Sequence, residues 1–211
     1  MNCLALIGDL CDSRNVVDRA GLQKTLQALL ARLNQRHAES LLSPLTLTLG
    51  DEFQAVLSGA TGLWAMIAAI QAELHPVRVR FGIGVGEIVT GINREAALGM
   101  DGPAFHRARD AITALKGEGG YYRVEGLPRP ALANEALVLL SRLQDKWQET
   151  RFQVFRDYLA AVPVQHIATA LQISKVAVYK NIDEGLLATF MGIQVAIAEQ
   201  IDDVLGVMHG R

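Results

Sequence analysis

Cysteine is almost absent: Cys3 and Cys11 are the only two, both in the first apolar stretch, with no CxxC and no histidine at metal-ligand spacing nearby. This excludes a disulfide-stapled scaffold and a thiolate zinc site, and leaves the two thiols as small buried hydrophobes of a reducing compartment. Net charge is nearly absent as well, −2 over 211 residues with a pI near 6.2. No global field draws such a chain to nucleic acid or to an anionic membrane, so any contact with DNA has to come from a local patch. No apolar run is long enough to span a bilayer. The opening Met1-Asn2-Cys3-Leu4-Ala5-Leu6-Ile7 has no charged region and breaks at Gly8-Asp9, which excludes a signal peptide and predicts a cytoplasmic protein with no membrane partner. Internal repeats and low-complexity stretches are missing too.

What remains is a chain that is 50% hydrophobic, enough for one good core and a small second module. Residues 3 to 9, CLALIGD, read as a buried central strand. From about Val16 to His37, Leu22, Leu26, Leu29, Leu30 and Leu33 recur at helical spacing. Residues 45 to 57, LTLTLGDEFQAVL, alternate through Leu45, Leu47 and Leu49, break at Gly50-Asp51 and resume at Phe53, Ala55 and Leu57, the pattern of a β-hairpin. A helix through Leu63, Trp64, Ile67 and Ile70 closes near His75-Pro76. The segment 77 to 91 is extended, with a bend expected at its glycines, and supplies one long strand or two. A helix from Gly102 to Lys116 and a short strand at 119 to 124 complete the set. The order predicts an α+β, ferredoxin-like sheet of the split βαβ kind with helices on one face, ending near residue 126. Leu127-Pro128-Arg129-Pro130 marks a break, and 131–211 reads as all-helical.

Within that region, residues 152 to 185 carry the spacing of a helix-turn-helix. A first short helix, Val164 to Leu171, turns inward Ile167, Ala168 and Leu171; Gln172-Ile173 makes the turn; a second helix starts at the N-cap Ser174 and buries Ala177, Val178 and Ile182. The exposed face of the second helix presents Ser174, Lys175, Tyr179 and Lys180, groups suited to phosphates and base edges of DNA. The same geometry also serves as a plain interaction module. Beyond it Phe190, Ile193, Ile197, Ile201, Val204 and Met208 form an amphipathic helix that either packs on the helix-turn-helix or makes the seam of a homodimer.

Three stretches, IGDLCDSR (7 to 14), LTLGDEFQAVL (47 to 57) and VRFGIGVGEI (79 to 88), followed by DGPAFHRARDAI, resemble the SatD family of bacterial proteins, and the likeness runs through the helix-turn-helix. More distantly they are similar to the palm of class III nucleotide cyclases, and LGDEF is close to the diguanylate cyclase signature with Leu49 in place of that family's first glycine. Cyclisation of a nucleoside triphosphate needs divalent ions held by converging carboxylates. The resemblance implies that Asp9 and Asp51 would hold Mg2+ or Mn2+, helped by Asp12 and Glu52. Without it, Gly50-Asp51 reads as an ordinary tight turn, and Asp9 as a cap of the following helix. The likeness also implies a nucleotide site at His106 and Arg109. There this sequence departs from the cyclases: His106 stands where their ribose-holding asparagine falls, Asp110 takes the place of the transition-state arginine, and Arg109 is one residue out of register. A carboxylate does not stabilise a developing phosphate charge. Gly82, Gly84 and Gly86 sit within a strand, so they read as close backbone packing, not as a phosphate loop. The leading expectation is a DNA-binding regulator whose N-terminal domain senses a nucleotide and metal; a metal-dependent nucleotidyl-cyclase-type enzyme and a domain that only dimerises are the alternatives.

Overall fold

The computed structural model describes residues 1–13, 16–48 and 50–206. Leu49 and Met208, assigned above to apolar stripes, lie outside the described residues. Five strands form one sheet in the order β2-β3-β1-β4-β5: β1 (Asn2–Leu10), β2 (Leu41–Leu47), β3 (Glu52–Leu57), β4 (Val79–Glu87) and β5 (Tyr122–Glu125). The first four are antiparallel neighbours and β5 runs parallel to β4. Central strand β1 is buried on both faces from Cys3 to Leu10, as its unbroken apolar run predicts.

Alternation along β1 divides its side chains between two layers. Leu4, Leu6 and Leu10 join the core under α1 (Arg19–Arg36) and α2 (Leu63–Leu74), while Cys3, Ala5 and Ile7 meet Ala104, Phe105, Ala108 and Ile112 of α3 (Pro103–Glu118). The helices therefore do not share one face, as the sequence suggested. The reason is topological: β4 and β5 are parallel neighbours, so the chain between them has to cross a face of the sheet, and α1 and α2 already occupy the other. A second correction concerns α1, which begins at Arg19 because Asp18 caps it, accepting a hydrogen bond from the Gly21 amide at 2.8 Å; among the described residues Asp9 caps no helix. Edge strand β2 carries Pro44 and two register irregularities, devices that blunt an exposed edge.

β4 is one unbroken strand, without the bend expected at its glycines. Gly82, Gly84 and Gly86 pair in register with Ile7, Ala5 and Cys3, so all three lie on the α3 face. A β-carbon on Gly84 would overlap the Ala104 carbonyl oxygen, and one on Gly82 the Ala108 carbonyl oxygen. With Ala104, Ala108 and Ala111 fully buried on the helix side, α3 lies backbone to backbone against the sheet.

Past residue 126 the chain is helical: α4 (Pro130–Gln144), α5 (Glu149–Leu159), α6 (Val164–Ala170), α7 (Lys175–Glu184) and α8 (Leu187–Leu205). The core runs without interruption from the sheet into these helices. Trp147 is its hub there, its ring centroid 5.4 Å from both Phe152 and Phe155 and 4.9 Å from Phe190. The buried Tyr122 hydroxyl hydrogen-bonds to Gln71 of α2 and Gln144 of α4, and the Ala60 amide donates to Asp202 of α8 at 2.6 Å. In α8 the stripe turned into the core is Leu187, Phe190, Gln194, Ile197 and Ile201, with half-buried Ile193 at its margin, whereas Val204, expected in the stripe, is exposed.

The glycine contact predicts two substitutions of opposite sign. Gly84→Ala forces α3 off the sheet and is expected to lower the unfolding free energy by about 2–3 kcal/mol. Gly192→Ala, in α8 where an added β-carbon meets nothing, is expected to raise it by about 1 kcal/mol through helix propensity. Urea titrations of the two variants beside the wild type measure both.

Candidate functional site

The register that pairs Gly82 with Ile7 also pairs Asp9 with Glu52 on one side and with Arg80 on the other, all on the α3 face of the sheet. Over this row α3 lays Arg109 and Lys116, seven residues and two turns apart on one side of the helix. Asp9, only 6% exposed, is held by two cations: Lys116 Nζ lies 2.8 Å from Oδ1, and Arg80 Nη1 lies 3.1 Å from Oδ2. Glu52 receives a two-pronged contact from Arg109 at 2.5 and 2.7 Å. That hydrogen bond, with the Glu52 and Asp9 charges behind it, raises the Arg109 guanidinium above its ordinary value against the opposing effect of burial.

Asp51 sits at the hairpin turn, where its carboxylate accepts a hydrogen bond from the Ser13 hydroxyl and its carbonyl one from the Leu10 amide at 3.1 Å. It ties the segment leaving β1 to the hairpin. Asp9, Asp12, Ser13, Asp51, Arg80 and Lys116 line one open cleft of about 320 Å³. Ser13 and Asp51 form a wall shared with a second, more apolar pocket of about 290 Å³, lined by Leu10 of β1 and by Leu22, Gln23 and Leu26 from the N-terminal turns of α1. On its other side the cleft continues past Asp12 and Arg80 to Cys11, Arg78 and Tyr121.

Of the residues singled out in the sequence, Asp9, Asp12 and Asp51 thus line a common space. Glu52 faces α3 and is taken by Arg109. His106 lies one helix-end away, ten residues before Lys116 or roughly 15 Å along the axis, and pairs with Asp101 at 2.7 Å on the surface. It does not reach the cleft, and Asp110 is turned to solvent. Sequence reasoning missed Arg80, Lys116 and Ser13. The i, i+7 spacing of Arg109 and Lys116 was a usable signal; the cross-strand pairing of Arg80 with Asp9 was not, because it depends on a long-range register.

Among the described residues no group of three or more His, Cys, Asp or Glu side chains is gathered closely enough to hold a metal ion. The oxygen donors of the cleft, Asp9 and Asp51 with Asp12 and Ser13 beside them, nevertheless suit a hard ion of the magnesium kind, which binds through one or two carboxylates and keeps its other positions for water or phosphate. Lys116 and Arg80 supply the positive charge at Asp9, and of the two the Lys116 side chain is the more exposed. Burial pushes the Cys3 thiol up to about 11 and raises Cys11 as well, so neither thiol is a ready nucleophile.

A second surface lies on α7. The Ser174 hydroxyl accepts a hydrogen bond from the Ala177 amide at 3.1 Å, and the turn before it is made by Gln172 at φ 54°. Ile167, Ala168 and Val178 are buried between α6 and α7. Ser174, Lys175, Tyr179 and Lys180 all remain exposed, Tyr179 at 59%. Glu184 lies 3.6 Å from Lys180 and 3.1 Å from Arg151 of α5, whose Nε donates to Asn181 at 3.2 Å.

The model of the SatD family matches residues 3–188. No curated protein matches the chain at a significant level. Among solved structures, that of a bacterial light-regulated adenylyl cyclase is similar, with 14% identity over 70% of this chain and 81% of that one, at a TM-score of 0.43.

The ion-pair geometry predicts unequal losses. Asp9→Asn leaves two cations beside a buried amide and is expected to destabilise by about 2 kcal/mol. Lys116→Met, at a half-exposed position, costs under about 1 kcal/mol. The urea midpoints should fall in that order at unchanged slope.

Proposed function

The chain belongs to the SatD family, and we propose that it is a DNA-binding regulator whose α+β half holds a nucleotide together with a divalent ion. The observation that carries this reading is the α6–α7 pair: its interior is closed by Ile167, Ala168 and Val178, while the N-terminal turn of α7 and its Lys175, Tyr179 and Lys180 are exposed to solvent. A helix-turn-helix needs that division, with the second helix entering the major groove by its first residues. The protein acts as a homodimer in this reading, two α7 helices contacting half-sites one helical turn apart.

Binding isotherms on specific and scrambled duplexes at two salt concentrations test it. Lys175→Ala is expected to weaken binding to all sequences alike and to lower the salt slope by about one unit. Lys180→Ala acts in the same direction but less, since Glu184 already engages that ammonium. Tyr179→Ala is expected to relax sequence preference instead, because its ring and hydroxyl face base edges. Absence of salt-dependent binding by the wild type would refute the reading.

The cleft supports the second half of the proposal. Its charged compartment brings carboxylates for Mg2+ or Mn2+ together with Arg80 and Lys116 for phosphate oxygens, and the adjoining apolar pocket with Gln23 has room for a ring. A bound ion would neutralise Asp9 and Asp51 and screen the phosphates from them. Arg109, locked on Glu52, is unavailable to a transferring phosphate, so binding is favoured over turnover. In thermal-shift titrations, nucleoside triphosphate with Mn2+ at a hundredfold excess over Kd is expected to stabilise the wild type by about 2.7 kcal/mol. The metal-dependent increment should vanish in Asp9→Asn and grow in Lys116→Met, where the competing ammonium is gone. An unchanged increment in Asp9→Asn rules out the cleft as the metal site.

A further inference from the structure

Arg78 stands immediately before β4, on the wall of the cleft between Cys11, Asp12 and Tyr121. Among the described residues it makes no ion pair. Its guanidinium lies 5.4 Å from the Tyr121 ring centroid and 5.1 Å from that of Phe152, and it donates to the Gln144 carbonyl at 3.2 Å. A half-buried cation on the edge of a cleft is therefore held by two rings and one neutral oxygen. A phosphate-bearing anion in the cleft offers the full opposite charge that this arrangement lacks.

What Arg78 holds on its other side is the helical region. Phe152 belongs to α5 and packs against Trp147, the hub of the aromatic cluster. Its neighbour Arg151 reaches α7 through Asn181 and Glu184, at 3.2 and 3.1 Å. One cation thus touches the cleft and the helix that carries the clamp on α7. We propose that Arg78 couples the two sites: when a phosphate-bearing anion fills the cleft, Arg78 turns to it, releases Phe152, and loosens α5 and through Arg151 the position of α7. The inference rests on the reading of the cleft as a phosphate site. The condition for such coupling is an interaction that differs between two arrangements, and here it is the contact of Arg78 with the anion, made only off the rings. Linkage then requires that DNA bound to α7 change the affinity of the cleft by the same factor.

Hydrogen exchange of the full-length protein with magnesium tripolyphosphate as the probe tests this without requiring DNA. In the wild type the amides of α5 and α7 are expected to exchange about fivefold faster when the probe is bound, the lower end of typical coupling. Arg78→Gln should show that faster exchange without the probe and no further response to it. Arg151→Gln should bind tripolyphosphate with the wild-type Kd by calorimetry and retain the response in α5 while losing it in α7. If tripolyphosphate binds and α5 and α7 are unchanged, or if Arg78→Gln exchanges like the wild type, the coupling is overturned and the cleft reading stands. If tripolyphosphate does not bind at all, the cleft reading falls and the coupling with it.

Discussion

The site hangs on the backbone-to-backbone approach of α3 to β4. A helix normally rides about a side chain above a sheet; here Gly82, Gly84 and Gly86 on one side and Ala104, Ala108 and Ala111 on the other remove that layer. The gain is positional. With so little space between them, Arg109 and Lys116 arrive over the row Glu52, Asp9 and Arg80 at hydrogen-bonding distance instead of projecting past it. A methyl group on Gly84 would lift the helix and with it both cations, so the glycine stripe sets the electrostatics of the cleft without contributing a polar atom.

That electrostatic arrangement is one of exchangeable partners. Asp9 is buried, and its two cations offset the desolvation penalty that a lone buried carboxylate carries. Arg80 comes from the neighbouring strand and is fixed by register. Lys116 comes from the last turn of α3 on a long half-exposed side chain, which makes it the replaceable member. Glu52 and Arg109, locked to one another in two contacts, form the rigid side of the row. On the proposed reading of the cleft, one fixed and one half-exposed counter-charge serve reversible binding of an anion.

Much of this was legible in the sequence because it follows from local periodicity. The unbroken run of β1, the hairpin around Gly50-Asp51, the leucine stripe of α1 and the cap at Ser174 each declare themselves within a dozen residues. The glycines of β4 also read correctly as packing, since a strand setting excludes a phosphate loop. The side of the sheet taken by α3 did not show, because β4 and β5 being parallel neighbours is a property of strand order, which no window of sequence contains. For the same reason Asp9 was visible as an acidic position but not as an ion-paired one: Arg80 and Lys116 lie 71 and 107 residues away from it along the chain. His106 was placed by analogy of spacing along a helix, and the helix points that position to Asp101 at the far end from the cleft.

The core that passes from the sheet through Tyr122, Gln71 and Gln144 into the Trp147 cluster bears on modularity. A surface helix carried on a separate domain can be exchanged between proteins by recombination at a linker, because each part keeps its own interior. In this chain α5 packs against α2 on one side and reaches α7 through Arg151 on another, and Asp202 of α8 closes on the loop before α2. Cutting between residues 126 and 130 would open one interior, not separate two. The two halves of this chain share an interior in this sense: a substitution in α2 is felt by α5, on which α7 leans.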